Sequence, residues 1–126
     1  MTKTCISTTF APAAIGPYSQ GISTGSLVFC SGQIALDPSS GELLSSSIAE
    51  ETSLCINNLK AILEEAGSGL DRILKTTIYV TDMNDFAEVN EAYGSFFPSE
   101  PPARATVGVA ALPKGARVEV ECVAAV

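Results

Sequence analysis

Two charged side chains in the last quarter of the sequence carry its most direct chemical suggestion. Arg104 sits in Pro101-Pro102-Ala103-Arg104-Ala105-Thr106-Val107, and Glu119 in Val118-Glu119-Val120-Glu121. A guanidinium is a planar fork that grips a carboxylate through charge-assisted hydrogen bonds, each contributing about 1.5–3 kcal/mol. A carboxylate within reach of the same pocket can position or deprotonate a water. One fixed cation and one carboxylate base suffice to hydrolyse an electrophilic imine that bears its own carboxylate. The chain contains no histidine, which removes Ser-His-Asp and Cys-His nucleophilic machinery and every imidazole-dependent zinc site. Acid–base chemistry falls to Glu, Asp, Tyr, Lys, Cys or bound water.

Alternation sets where these two residues point. Arg104 to Ala110 and Arg117 to Ala125 read as strands, joined through Leu112-Pro113-Lys114-Gly115 into a terminal hairpin. Val118, Val120 and Cys122 take the core side, leaving Arg117, Glu119 and Glu121 opposite. Matching polar face to polar face puts Arg104, Thr106 and Gly108 beside Glu119 and Glu121, since a one-residue slip would bury the charges. Lys75, Thr77 and Tyr79 join that face, which is expected to point away from the helices. It is either wet or packed against further copies of the chain, with clefts at the seams. On residues alone, Arg104 and Glu119 equally describe a surface ion pair contributing about 0–1 kcal/mol. Tyr18, after Gly16-Pro17, equally describes a packing residue.

The elements that must hold these groups follow from periodicity. Gly25-Ser26 is a turn between strands at Gln20-Gly21-Ile22-Ser23 and Leu27-Val28-Phe29-Cys30. Asp37-Pro38-Ser39-Ser40-Gly41 is a loop. Ser47 and Glu50 form a capping-box pattern, with Glu51 favoured by the helix dipole. Ile48, Thr52, Cys55, Leu59, Ile62 and Ala66, widened by Ile56 and Leu63, then make a helical stripe that ends at Gly67. Ile73 to Thr81 is a strand with Leu74, Ile78 and Val80 on one face. A second helix, capped near Asn84 or Asp85, carries Phe86, Val89, Tyr93, Phe96 and Phe97 and closes at Pro98. The order ββαβαββ predicts a single α+β domain over residues 1–126, with both helices on one face of a mixed sheet.

Composition narrows the function classes. The 126 residues carry a net charge of −7, which disfavours phosphate backbones and anionic membranes as general partners. Cys5, Cys30, Cys55 and Cys122 form no CxxC and read as reduced, buried, hydrophobe-like side chains. The first residues lack a signal-peptide layout and no apolar run reaches bilayer length, so a cytoplasmic protein is expected.

Several blocks resemble one family. Gly16-Pro17-Tyr18-Ser19-Gln20, Phe29-Cys30-Ser31-Gly32-Gln33-Ile34, and Asp85 to Asn90 with Tyr93 and Phe96-Phe97 are similar to motifs of the Rid (YjgF) proteins. So are Pro101 to Val107, Leu112 to Gly115 and Val118 to Glu121. The resemblance runs from about Ile15 to Val123. It implies a chorismate-mutase-like fold, a homotrimer with sites at subunit interfaces, and hydrolysis of 2-iminobutanoate and 2-iminopropanoate to keto acids and ammonia. It implies no metal and no organic cofactor. Carried over, Arg104 would grip the substrate carboxylate and Glu119 would handle the attacking water. The Gly32 backbone and Tyr18 ring would orient the imine and close the pocket, with Asn90 in support. Thr106 departs from members that have cysteine there; its backbone N–H could still bind the carboxylate.

Three rivals remain: a ribonuclease or translation inhibitor, a non-catalytic metabolite-binding trimer, and a chorismate mutase by fold analogy. The acidic balance disfavours the first. A pure carboxylate binder gains nothing from Glu119 beside its arginine. Fold alone does not transfer the third activity.

Overall fold

The computed structural model describes residues 2–126. Helix α1 (Ile48–Glu65) starts where Ser47 accepts a hydrogen bond from the Glu50 N–H. The return arm of the capping box differs from expectation. Glu50 takes the Ser46 hydroxyl, while Glu51 accepts from the Ser46 N–H and pairs with Arg117. The buried stripe is Ile48, Thr52, Cys55, Ile56, Leu59, Ile62 and Leu63. Gly67, at φ 81°, ends the helix as predicted, with the Gly67 and Ser68 N–H groups returning to Glu64 and Leu63.

Six strands form one sheet in the order β1-β2-β3-β6-β4-β5. They are β1 (Thr4–Ile6), β2 (Gly21–Ser23), β3 (Leu27–Gln33), β4 (Ile73–Val80), β5 (Ala103–Gly108) and β6 (Val118–Ala125). The three-residue β1 was not expected from the sequence. The β2–β3 hairpin turns at Gly25, as predicted. Helix α2 (Phe86–Gly94) is shorter than expected, and Phe96 and Phe97 pack on the core from the turn after it. The side-chain cap also lies earlier: Asp82 accepts from the Asn84 N–H on a short 3-10 turn leading into the helix.

The terminal hairpin does not form. β5 pairs only with β4, in parallel, while β6 lies antiparallel between β3 and β4. The burial of the two strands explains this. Val118, Val120, Cys122 and Ala124 are all buried, the signature of a central strand, whereas β5 has no buried residue. Pro102 before β5 also suits an edge. The parallel β4–β5 pair needs a long crossover, which α2 and its flanks supply.

Both helices cover one sheet face, and the core lies between, around Val28, Ile78, Val80, Val118, Val120 and Ala124. Leu74 is not part of that face. It is the extra residue of a bulge between Ile73 and Lys75 and is half exposed. Among the described residues, no helix is long and apolar enough to cross a membrane.

Candidate active site

The first half of the site is built on a bulge. Cys30 pairs with Cys122 and Gln33 with Val120, so Ser31 and Gly32 together oppose Glu121. Such an extra residue bends its strand and re-aims the neighbouring groups. The bulge is tied down on its outer side. The Ser31 N–H donates to the Gln20 carbonyl at 2.9 Å, and its hydroxyl to the Ser19 carbonyl at 2.5 Å. Glu119 lies across Gly32 from β6. A methyl group on Gly32 would stand 2.8 Å from the Glu119 Cδ and closer still to its Oε2. Only glycine leaves room for that carboxylate.

Glu119 is partly withdrawn from water, and lost solvation, followed by the charge of Glu121, raises its carboxyl above the ordinary range. Glu121, two residues along the same face, accepts a short hydrogen bond from the Tyr79 hydroxyl. That bond, with some burial, holds the Tyr79 phenol above its usual value. Tyr18 is 48% exposed in the loop ahead of β2, and its hydroxyl accepts from the Ile15 N–H.

The second half is built by α2 over the β5 edge. Phe86, Asn90 and Tyr93 fall at i, i+4 and i+7 on one helix face. Arg104 reaches up to them from β5. Its Nη1 donates to Asn90 Oδ1 at 2.7 Å, and its guanidinium lies 5.0 Å from the Tyr93 ring centre and 5.7 Å from that of Phe86. Both rings are within cation–π range. Tyr93 is itself fixed by a 2.7 Å hydrogen bond between its hydroxyl and that of Thr76; burial raises its phenol. Thr106 follows Arg104 on the same side, its hydroxyl oxygen buried and without a partner among the described residues.

The expected meeting of Arg104 with Glu119 therefore does not occur within one chain. Arg104 is in register with Thr76 and Thr106 with Ile78, both buried beneath the helices, whereas Glu119 and Glu121 are in register with Tyr79 and Thr77 on the open face. β4 also stands between β5 and β6. Arg117 leaves the expected face too. It binds Glu51 and the Ser46 carbonyl at the start of α1. The structure thus brings Gly32 and Glu119 together, and Arg104 and Asn90 together, but separates the two pairs.

A sequence model of the family described as endoribonuclease L-PSP matches residues 8–126. The 2-iminobutanoate/2-iminopropanoate deaminase of Mus musculus is 50% identical over 119 residues, covering 94% of this chain and 88% of its own. The YyfA protein of Yersinia pestis, described as a member of the conserved Rid protein family with unknown function, superposes with a TM-score of 0.96. It is 44% identical and covers 99% of this chain and 100% of its own. The chain belongs to the Rid family. A further solved structure, that of E. coli TdcF with bound serine, superposes with a TM-score of 0.94 and 43% identity over 98% of both chains.

In this Rid protein the sequence pointed to Arg104, Glu119, Gly32 and Asn90 but passed over three supports. Phe86 and Tyr93 stand in the sequence only as members of the second helix's apolar side and motif, although their spacing with Asn90 already places all three on one helix face. The Glu121–Tyr79 pair was placed on the right face but given no role. Gln20 stands in the sequence as part of a strand and of the Gly16–Gln20 motif, with no role attached to it. Among the described residues, no group of three or more Cys, Asp or Glu side chains is arranged to hold a metal ion.

Proposed function

We propose that this Rid protein hydrolyses 2-imino acids such as 2-iminobutanoate and 2-iminopropanoate to 2-keto acids and ammonia, in a homotrimer whose sites form between chains. The observation that carries this reading is the separation of two complementary, unpaired groups. Among the described residues the one ion pair is Arg117–Glu51, so neither Arg104 nor Glu119 is neutralised within its own chain. Each half lacks what the other has. Because the two halves occupy different surfaces, the contact that joins them is head-to-tail, and a head-to-tail contact forms a ring when its rotation closes. Phe29 and Val107, 45% and 42% exposed on the open sheet face, supply apolar surface for that contact.

In the completed site Arg104 holds the substrate carboxylate in its fork, kept in place by Asn90 and the two rings. Thr106 offers its backbone N–H and its hydroxyl to the same carboxylate. Glu119 takes a proton from water as the oxygen bonds to C2 and passes it to the imine nitrogen, giving a carbinolamine. Collapse forms the C=O bond and breaks C–N as Glu119 takes the hydroxyl proton and delivers it to the departing nitrogen, which leaves as ammonia. A raised carboxyl suits this two-way transfer better than an ordinary one. The Gly32 backbone and the Tyr18 ring orient the imine. The names of relatives such as the mouse deaminase support the substrate class, and serine in TdcF is a small molecule with the same carboxylate handle. The four free cysteines fit a cytoplasmic setting.

The test is ammonia release from 2-iminobutanoate generated in place by a threonine dehydratase, against spontaneous hydrolysis. Arg104→Ala and Glu119→Gln should each be inactive alone. Co-refolded in equal amounts, they should regain about a quarter of the wild-type activity, the share of seams at which both intact halves meet. Acceleration by the wild type with no recovery in the mixture would remove the shared site. No acceleration by a trimer of three chain masses would favour a binding protein instead.

A further inference from the structure

The side chain of Gln20 makes more hydrogen bonds than any other in the site region, and the proposed chemistry does not use it. Gln20 is 5% exposed. Its Oε1 accepts from the Thr8 N–H at 2.7 Å, and its Nε2 donates to the carbonyls of Thr8 at 3.0 Å, Ala11 at 3.3 Å and Pro12 at 2.7 Å. Its own carbonyl accepts from the Ser31 N–H in the bulge. One residue therefore fastens the chain ahead of residues 13–19 through its side chain and the chain behind them through its backbone. The loop between those two fastenings carries Tyr18. Within it, Tyr18 returns its N–H to the Gly16 carbonyl at 2.8 Å and its hydroxyl accepts from Ile15. The ring is held by the loop, and the loop is held at both ends by Gln20.

We infer that Gln20 is a positioning residue: by pinning Thr8–Pro12 with its amide and the Ser31 bulge with its carbonyl, it sets where Tyr18 stands, next in the chain to Ser19, whose carbonyl accepts from the Ser31 hydroxyl of the same bulge. The inference rests on the proposed imine-hydrolysing site, in which Tyr18 closes the pocket on substrate. It does not require Gln20 to touch substrate. Freed of the amide, the flexible span ahead of Tyr18 would reach back from Pro12 to the end of β1, and a longer loop samples more positions. The consequence is a misplaced ring rather than a missing catalytic group, so it falls on substrate capture.

The test compares Gln20→Met, which keeps the length and removes the amide, with Gln20→Asn, which keeps the amide on a shorter arm. Both are assayed with 2-iminobutanoate in the wild-type and Tyr18→Ala backgrounds, alongside deuterium exchange of residues 8–18. The expected result is faster exchange and a KM raised about five- to tenfold by Met and less by Asn, with kcat nearly kept. In the Tyr18→Ala background neither change should add to the loss, because residues acting through one another are not additive. A purely structural role reads differently: fewer active molecules lower the apparent kcat at unchanged KM. That pattern, or full additivity with Tyr18→Ala, overturns the inference. If Gln20→Met does not fold, Gln20→Asn decides by the same two criteria. A wild type that gives no acceleration overturns the deaminase reading itself, so the two failures are distinguishable.

Discussion

Gly32→Ala should separate folding from catalysis in this Rid protein. The added methyl would lie 2.8 Å from the Glu119 Cδ and 3.2 Å from its Cγ, whereas ordinary contact begins near 3.4 Å. What it meets is the far end of a flexible side chain, so the backbone need not move. Glu119 would swing aside into a less favoured rotamer, a cost of about 0.5–1.5 kcal/mol. Clearing the methyl displaces the carboxylate oxygens by about 1 Å, and a misplacement of that size is worth about 100-fold in rate. The corresponding barrier is about 2.7 kcal/mol. The assay is steady-state ammonia release paired with thermal unfolding. The expected result is kcat down about 100-fold, KM little changed because Arg104 is untouched, and a small drop in Tm. Wild-type kcat would show that the position of Glu119 over Gly32 is irrelevant to turnover. Loss of the folded state would show that the bulge, not the carboxylate, needs glycine.

Other outcomes follow from the same geometry. Asn90→Ala removes the 2.7 Å acceptor that steadies Arg104; at this exposed position the loss is about 1 kcal/mol, seen as KM raised about fivefold in substrate titrations. Asn90→Asp should raise KM further, because a carboxylate there competes with the substrate for the guanidinium. Glu119→Gln should lose about 10²–10⁴-fold in kcat and gain Tm at neutral pH. The sign comes from its raised carboxyl: that group favours the fold below the ordinary carboxylate value, and the benefit is lost as pH rises through the raised one. Glu121→Gln removes the second cause of the shift, so the acid limb of the pH–rate profile should move to lower pH, short of an ordinary carboxylate because burial remains. Cys30, Cys55 and Cys122 are buried, and burial holds the Cys55 thiol far up, as the hydrogen bond with Cys30 and then burial do for Cys122. Native alkylation followed by mass spectrometry should leave these three unmodified until denaturant is added.

What the sequence could and could not reveal follows from the range of the interactions involved. The span of α1, its cap and its stop at Gly67 were readable because each depends on residues within a few positions. So was the turn at Gly25. The burial alternation of β6 was also readable, but the identity of its neighbours was not. A short connection suggested a hairpin, and nothing local announced that β6 would insert between β3 and β4. That one error moved Arg104 to the wrong face. The burial of β6 on every second residue, set against an unburied β5 that follows Pro102, held the clue to which strand was central. Gly32 was recognised from a motif, while its physical reason, room for Glu119, depends on a residue 87 positions away. The missed role of Gln20 has the same origin, since four backbone partners between Thr8 and Pro12 leave no trace in local pattern.

The place of β6 in the sheet also shapes the order of assembly. It is the last strand in the chain, yet it alone joins the β1-β2-β3 group to the β4-β5 pair. During synthesis, which proceeds at about 5–20 residues per second, both groups emerge with an unpaired strand edge facing outward and with α1 lacking half of its floor. Neither group holds Glu119, which arrives with β6 itself. Unfinished chains are therefore sticky but chemically idle, and the most hazardous interval for aggregation is the one just before the final strand enters its slot. The strand that closes the sheet also carries Glu119, so one folding event completes both the sheet and this chain's Gly32–Glu119 half of the proposed site, leaving only the meeting of chains to follow.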